Sequence, residues 1–227
     1  MPPKHVIRAI SDVSQSCSGV GLATALAIAL YLVTLAHAQA QSAAEFVSVT
    51  SSTADQDCRS ERPSRRIPDD GGARRCPGPH GLFVFVAEQD LRQTVTVGRN
   101  RLNANGELAA RQTFGPFNSA ATTVEWHGAR GRPPVAIIQR WFVADNDDPD
   151  KNGRPQNKQL LVVTRLPPGA VCHVAYIDVK ANPNANELAR KAADTARSFD
   201  CAKDQVKIDG VPGRAVELAI PKRQTGS

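Results

Sequence analysis

Four cysteines lying downstream of an export leader constrain this chain more than any other feature. Lys4 and Arg8 give a basic start, Gly19 to Leu35 is an uncharged apolar run, and Ala36-His37-Ala38 and Ala38-Gln39-Ala40 are overlapping small-x-small sites. That order predicts a cleaved secretory signal over residues 1–40, cut after Ala38 or Ala40. The run is 17 residues, at the short edge of what spans a bilayer, so no stable membrane anchor is expected after cleavage. No twin-Arg pair precedes it, which favours a Sec-type route to the periplasm or the exterior. Cys17 leaves with the leader, and Cys58, Cys76, Cys172 and Cys201 remain. An even number of cysteines in an exported chain predicts two disulfides. Of the three pairings, Cys58–Cys76 and Cys172–Cys201 are preferred because each closes a local loop, for about 3 kcal/mol or slightly more apiece. The chain has no C-x-x-C, so these are staples rather than redox or zinc ligands.

Hydrophobic residues make up 41% and charged residues 22% of the 227, which excludes a collagen-like, disordered or multi-span membrane chain. Residues 41–80 form an N-terminal segment. Ser42 to Ser52 reads as a short strand, and Asp57 to Arg75 as an Arg-rich loop pinned by Cys58 and Cys76. Residues 81–202 form the core domain. Leu82 to Ala87 is an apolar run fitting a buried strand. Leu91 to Val97 alternates, with Leu91, Gln93, Val95 and Val97 on one face. A short helix is predicted over Gly106 to Arg111. Strands follow at Thr122 to His127, Pro134 to Ala144, Gln159 to Leu166 and Val171 to Val179, with an acidic loop from Asp145 to Asn157. Asn182 to Ser198 is the main helix, with Asn182 as N-cap and an apolar stripe of Ala185, Leu188, Ala189, Ala192, Ala196 and Phe199. Cys172, Val174 and Tyr176 are expected on the face that this helix covers. Residues 203–227 read as a polar tail with an edge strand at Val216 to Ile220. The fold class is α+β: one antiparallel sheet in a meander, a C-terminal helix on one face and two disulfides.

Asp148-Pro149-Asp150-Lys151-Asn152-Gly153 matches the first half of a calcium loop, with Asp148, Asp150 and Asn152 as weak candidate ligands. Position twelve is Gln159 rather than a bidentate Glu, and a solvated hairpin needs the same residues, so no metal is assigned. Arg92, Arg140 and Arg165 lie on predicted strands and form a weak candidate anion-binding row. The Arg-rich loop has no interleaved aromatics, so nucleic acid is not expected as a partner. His80, His127 and His173 survive processing, and Glu125 and His127 share a strand face. G-x-S-x-G, H-E-x-x-H and a phosphate-cradling Gly loop are absent, and no cofactor is assigned. Catalytic groups can still converge from distant segments.

Several stretches carry a family resemblance: CPG at Cys76, VFVAEQDLRQTVTVG at Val84, QTFGPFN at Gln112, VEW at Val124 and IQRWF at Ile138. LVVTRLPPGAVCHVAYID at Leu161, the ANPNANELARKAAD helix and FDC ending at Cys201 complete the set. Together they resemble a family of small exported alphaproteobacterial proteins of rhizobial type, to which no activity attaches. The resemblance implies export and two disulfides. With a net charge of +6, the chain reads as an envelope protein that binds an anionic partner without catalysis, such as a polysaccharide, lipid headgroup or protein. The alternatives are an envelope hydrolase with a site assembled from distant residues, or a secreted enzyme inhibitor.

Overall fold

The computed structural model describes residues 45–66 and 71–220. Ala38 and Ala40, with the rest of the expected leader, and the last seven residues lie outside the described residues. Strands β1 (Phe46–Ser52), β2 (Arg59–Glu61), β3 (Ala73–Pro77), β4 (Phe83–Gln89) and β5 (Arg92–Gly98) precede helix α1 (Arg101–Asn105). Then come β6 (Asn118–Ala129), β7 (Ala136–Pro149), β8 (Pro155–Arg165), β9 (His173–Asp178), α2 (Ala185–Asp194), β10 (Lys207–Ile208) and α3 (Arg214–Ala219). The strands form one sheet in the order β10-β9-β8-β7-β6-β5-β4-β3-β2, with β1 also paired to β6. The pairing is antiparallel throughout except for β9 with β10 and a single β5–β6 pair, Arg92 opposite Asn118.

The run Leu160-Leu161-Val162-Val163 on β8 is buried on both faces, which is why it lacks polar alternation. Leu160 and Val162 join Cys76, Val84, Val95, Val97, Trp126, Trp141 and Val143 in one core cluster. Strands β4 and β8 are four places apart in the sheet, so sharing a cluster requires the sheet to curl over itself. Leu161 and Val163 face the second cluster, with Ile138, Ala175, Ile177 and the Ala185, Ala189, Ala193 and Ala196 stripe. Helix α2 sits on that face, and its alanines permit close approach. Its stripe includes Ala193, which the expected stripe omits, while Leu188 and Ala192 are half-buried.

Both disulfides form as expected, Cys58–Cys76 and Cys172–Cys201. The first pins a β2–β3 hairpin where a loop is expected, with Arg59 opposite Arg75. Glu61 offsets that like-charge pair through an ion pair to Arg75 at 3.0 Å.

Several expectations are corrected. Tyr176 lies in the first core rather than under α2, because the pairing of β8 with β9 shifts between Val163–Ala175 and Thr164–His173. That bulge leaves Val174 as an extra residue and reverses the alternation beyond it. Leu91 is exposed and lies before the strand, which begins at Arg92, rather than in it. Asp90 and Leu91 form the two-residue turn between β4 and β5, both with positive φ, as such a tight hairpin requires. The acidic segment at Asp145 extends the β7–β8 hairpin instead of forming an open loop. Leu108–Arg111 is a 3-10 turn, and α1 precedes it, capped by the Asn100 side chain. The N-cap of α2 is Asn184. Asn182 instead donates to the Asp178 and Val211 carbonyls and accepts from the Val211 N–H, which ties the tail to the helix start. In the expected polar tail, α3 stands where an edge strand is expected, and Ala215, Val216 and Ala219 enter the first core.

His173 and Tyr176 point into the first core because of the bulge, with His173 Nδ1 2.9 Å from the Tyr176 hydroxyl. Burial pushes the His173 imidazole down to about 3. The unfolded chain titrates near 6.5, so it takes up a proton below that pH while the folded chain does not. Stability is therefore full above about pH 6.5 and declines on acidification by up to about 1.4 kcal/mol per unit. Urea unfolding at pH 6.5, 5.5 and 4.5 should show that slope in the wild type and its loss in His173→Gln; parallel profiles would contradict it. Replacing Cys172 and Cys201 together by Ser should cost about 3 to 4 kcal/mol, given a sequence separation of 29 residues. A loss below about 1 kcal/mol in urea unfolding would show that packing alone holds α2.

Candidate functional site

A cleft of about 770 Å³ opens where β8, the end of β9 and the start of α3 meet. Gln156, Asn157, Lys158 and Gln159 come from β8, Lys180 from the turn after β9, and Arg214 from α3. The buried Asp178 carboxylate builds one wall. Its Oδ1 accepts from the Ala181 N–H at 2.9 Å and its Oδ2 from the Ala215 N–H at 2.8 Å, joining β9 to α3. A Cβ at Gly213 would lie 2.6 Å from that carboxylate, so glycine is needed for the approach.

Arg214 is held from behind the cleft. Its Nε and Nη2 donate to the two oxygens of Asp145 at 2.7 and 2.6 Å, and Nη2 also donates to Asp147 at 2.7 Å. The Arg214 hydrogen bonds hold the buried Asp145 carboxyl below the usual carboxylate range against the opposing effect of burial, with the Asp147 N–H and Lys158 assisting. Lys158 pairs with Asp148 and lies 3.9 Å from Asp145. Lys180 is exposed and has no ion-pair partner among the described residues. The lining thus carries three cations and several amides, with one carboxylate whose oxygens are turned to backbone N–H groups.

The residues singled out from sequence fall elsewhere or take local partners. Asp148 is bound by Lys158 and Gln156. Asp150 Oδ1 accepts from the Asn152 and Arg154 N–H groups at 2.8 and 2.9 Å, closing the β7–β8 turn that Gly153 completes at positive φ. Among the described residues no group of three or more His, Cys, Asp or Glu side chains is placed to hold a metal ion. Arg92, Arg140 and Arg165 each take partners close by. Arg92 donates to Gly115 and Asp90 beside Phe117. Arg140 donates to Gln159 at 2.6 Å, and Arg165 clasps the Pro168 and Ala170 carbonyls. His80 is exposed in a turn with positive φ.

A second polar cluster surrounds His127. Glu125 and His127 share a face of β6, as their spacing predicts, and the β1 register sets Ser48 directly opposite His127. Ser48 Oγ donates to Glu125 Oε1 at 2.5 Å and lies 3.0 Å from His127 Nδ1. From α2, Asp194 Oδ1 lies 2.7 Å from His127 Nε2, and Arg190 Nε donates to Glu125 at 2.7 Å. The two residues facing the imidazole nitrogens are 79 and 67 positions away in sequence. Only the strand pairing and the placement of α2 bring them together, so no local motif marks them. The Phe46 ring stacks on the imidazole, centroid to centroid 5.3 Å.

Comparison with protein-family models, curated proteins and solved structures finds no match to this chain.

The direction of the Asp145 shift sets an acid limb. Its contribution to stability is present above the unfolded value near 4 and is lost as pH falls through the lower folded value. The stability difference between wild type and Asp145→Asn, measured by urea unfolding, should hold constant above about pH 5 and shrink below it. A constant difference down to pH 2 would contradict the assignment.

Proposed function

We propose that this chain is an exported envelope protein, of the alphaproteobacterial type that its sequence resembles, and that it binds a hydroxyl-rich anionic ligand such as an acidic polysaccharide. The observation that carries this reading is the lining of the 770 Å³ cleft, with Lys158, Lys180 and Arg214 beside the amides of Gln156, Asn157 and Gln159. Amides both donate to and accept from sugar hydroxyls, and an exposed ammonium pairs with a carboxylate. Arg214 and Lys158 are already engaged by aspartates, so Lys180 carries most of the charge recognition. The two disulfides fit an oxidising compartment. No helix among the described residues is long and apolar enough to cross a membrane.

Titration calorimetry with an oligogalacturonate tests the reading. Binding should weaken at least tenfold in Lys180→Glu and fall as salt rises, since surface charge contacts are screened. A neutral maltooligosaccharide of equal length should bind at least tenfold more weakly. Absence of binding, or binding indifferent to Lys180→Glu, would overturn it.

A further inference from the structure

We propose that Ser48 is the nucleophile of a carboxylic-ester hydrolase site on the β1 edge, with His127 as its base and Asp194 as a positioning residue. The inference is independent of the cleft described above. A serine hydroxyl gains nucleophilic character when a base accepts its proton and a third group orients that base. His127 lies between Ser48 and Asp194, its Nδ1 3.0 Å from Ser48 Oγ and its Nε2 2.7 Å from Asp194 Oδ1, the spacing that relation needs. His127 is buried, whereas Ser48 is exposed. The base is therefore fixed while its partner faces solvent.

Glu125 also accepts the serine hydroxyl, but it is a weaker base. Burial works to raise its carboxyl, yet hydrogen bonds from Arg190 and Ser48 outweigh burial and hold it below the ordinary range. It orients Oγ at rest and, with Asp194, flanks the imidazolium that forms during reaction. The β1 ladder supplies an oxyanion donor. Glu45 with Arg130 and Thr53 with Thr122 are hydrogen-bonded pairs, so in this register Ser48 and His127 form a non-hydrogen-bonded pair. The Ser48 N–H therefore points away from β6, and among the described residues no other strand pairs with β1. Phe46, exposed on the same face, offers an apolar surface for a short acyl group.

In the reaction, the Ser48 hydroxyl turns from Glu125 to His127 Nδ1, Oγ bonds to the ester carbonyl carbon, and the proton passes to His127 Nδ1, the Nε2–H remaining on Asp194. The carbonyl oxygen becomes an oxyanion facing the Ser48 N–H. Collapse breaks the bond to the leaving oxygen, which takes the proton from His127 and departs as the alcohol. Water then attacks the acyl-serine, His127 takes and returns its proton, and the acid leaves with Ser48 restored. Ester and water give acid and alcohol, and no other reactant is needed.

The test is labelling of the disulfide-bonded protein with a fluorophosphonate probe, the site located by mass spectrometry. Label should fall on Ser48 and vanish in Ser48→Ala, and the labelling rate should drop at least a hundredfold in His127→Gln. Asp194→Asn should slow labelling about tenfold, while Asp194→Glu retains at least half the wild-type rate; loss of a purely structural contact would not discriminate in that way. Hydrolysis of p-nitrophenyl butyrate should be lost with Ser48→Ala. No label in the wild type, label on another serine, or an unchanged rate in His127→Gln would overturn the proposal. If His127→Gln does not fold, the Asp194 pair decides, and equal rates for Asn and wild type would overturn it.

Discussion

Burial of both faces of β8 is the constraint on which the remaining structure depends. Leu160 and Val162 point one way and Leu161 and Val163 the other, and each fully buried side chain of this kind contributes about 1.5–3 kcal/mol. A strand with two apolar faces needs two covers. The curled β3–β5 portion, with α3, supplies one, and α2 supplies the other. The disulfides reinforce those covers: Cys58–Cys76 holds the hairpin that continues into β4, and Cys172–Cys201 returns the chain beyond α2 to the start of β9.

The bulge at Val174 reconciles the two covers within a single strand. It keeps Val174, Ala175 and Ile177 against α2 while turning His173 and Tyr176 together into the aromatic group of Phe114 and Trp141. A neutral imidazole hydrogen-bonded to a phenol is the form that such a dry site accepts, which explains the depressed His173 titration.

The polar clusters sit where covers meet sheet edges. Asp178 and Asn182 bind the chain that returns as α3, and the cleft opens beside that join. The Ser48–His127–Asp194 chain links β1, β6 and α2 in the same way. Both clusters therefore contribute to assembly as well as offering chemistry, and both are reached from solvent through exposed residues, Lys180 in one and Ser48 in the other.

Local sequence determined what depends on neighbours along the chain. The cysteine pairing was legible because each pair closes a short loop. Buried β4 and the alanine-rich α2 were legible from an apolar run and helical spacing, and the shared face of Glu125 and His127 from the two-residue period of a strand. Tertiary structure alone decided the side on which Tyr176 lies, since a bulge is set by register with β8 and leaves no mark in composition. It also decided that residues 214–219 form a helix, because the Asp178 carboxylate and the core favour that conformation over a strand. The meeting of Ser48, His127 and Asp194 lay equally beyond local reading: groups many tens of residues apart are brought within hydrogen-bonding distance only by strand pairing and helix docking.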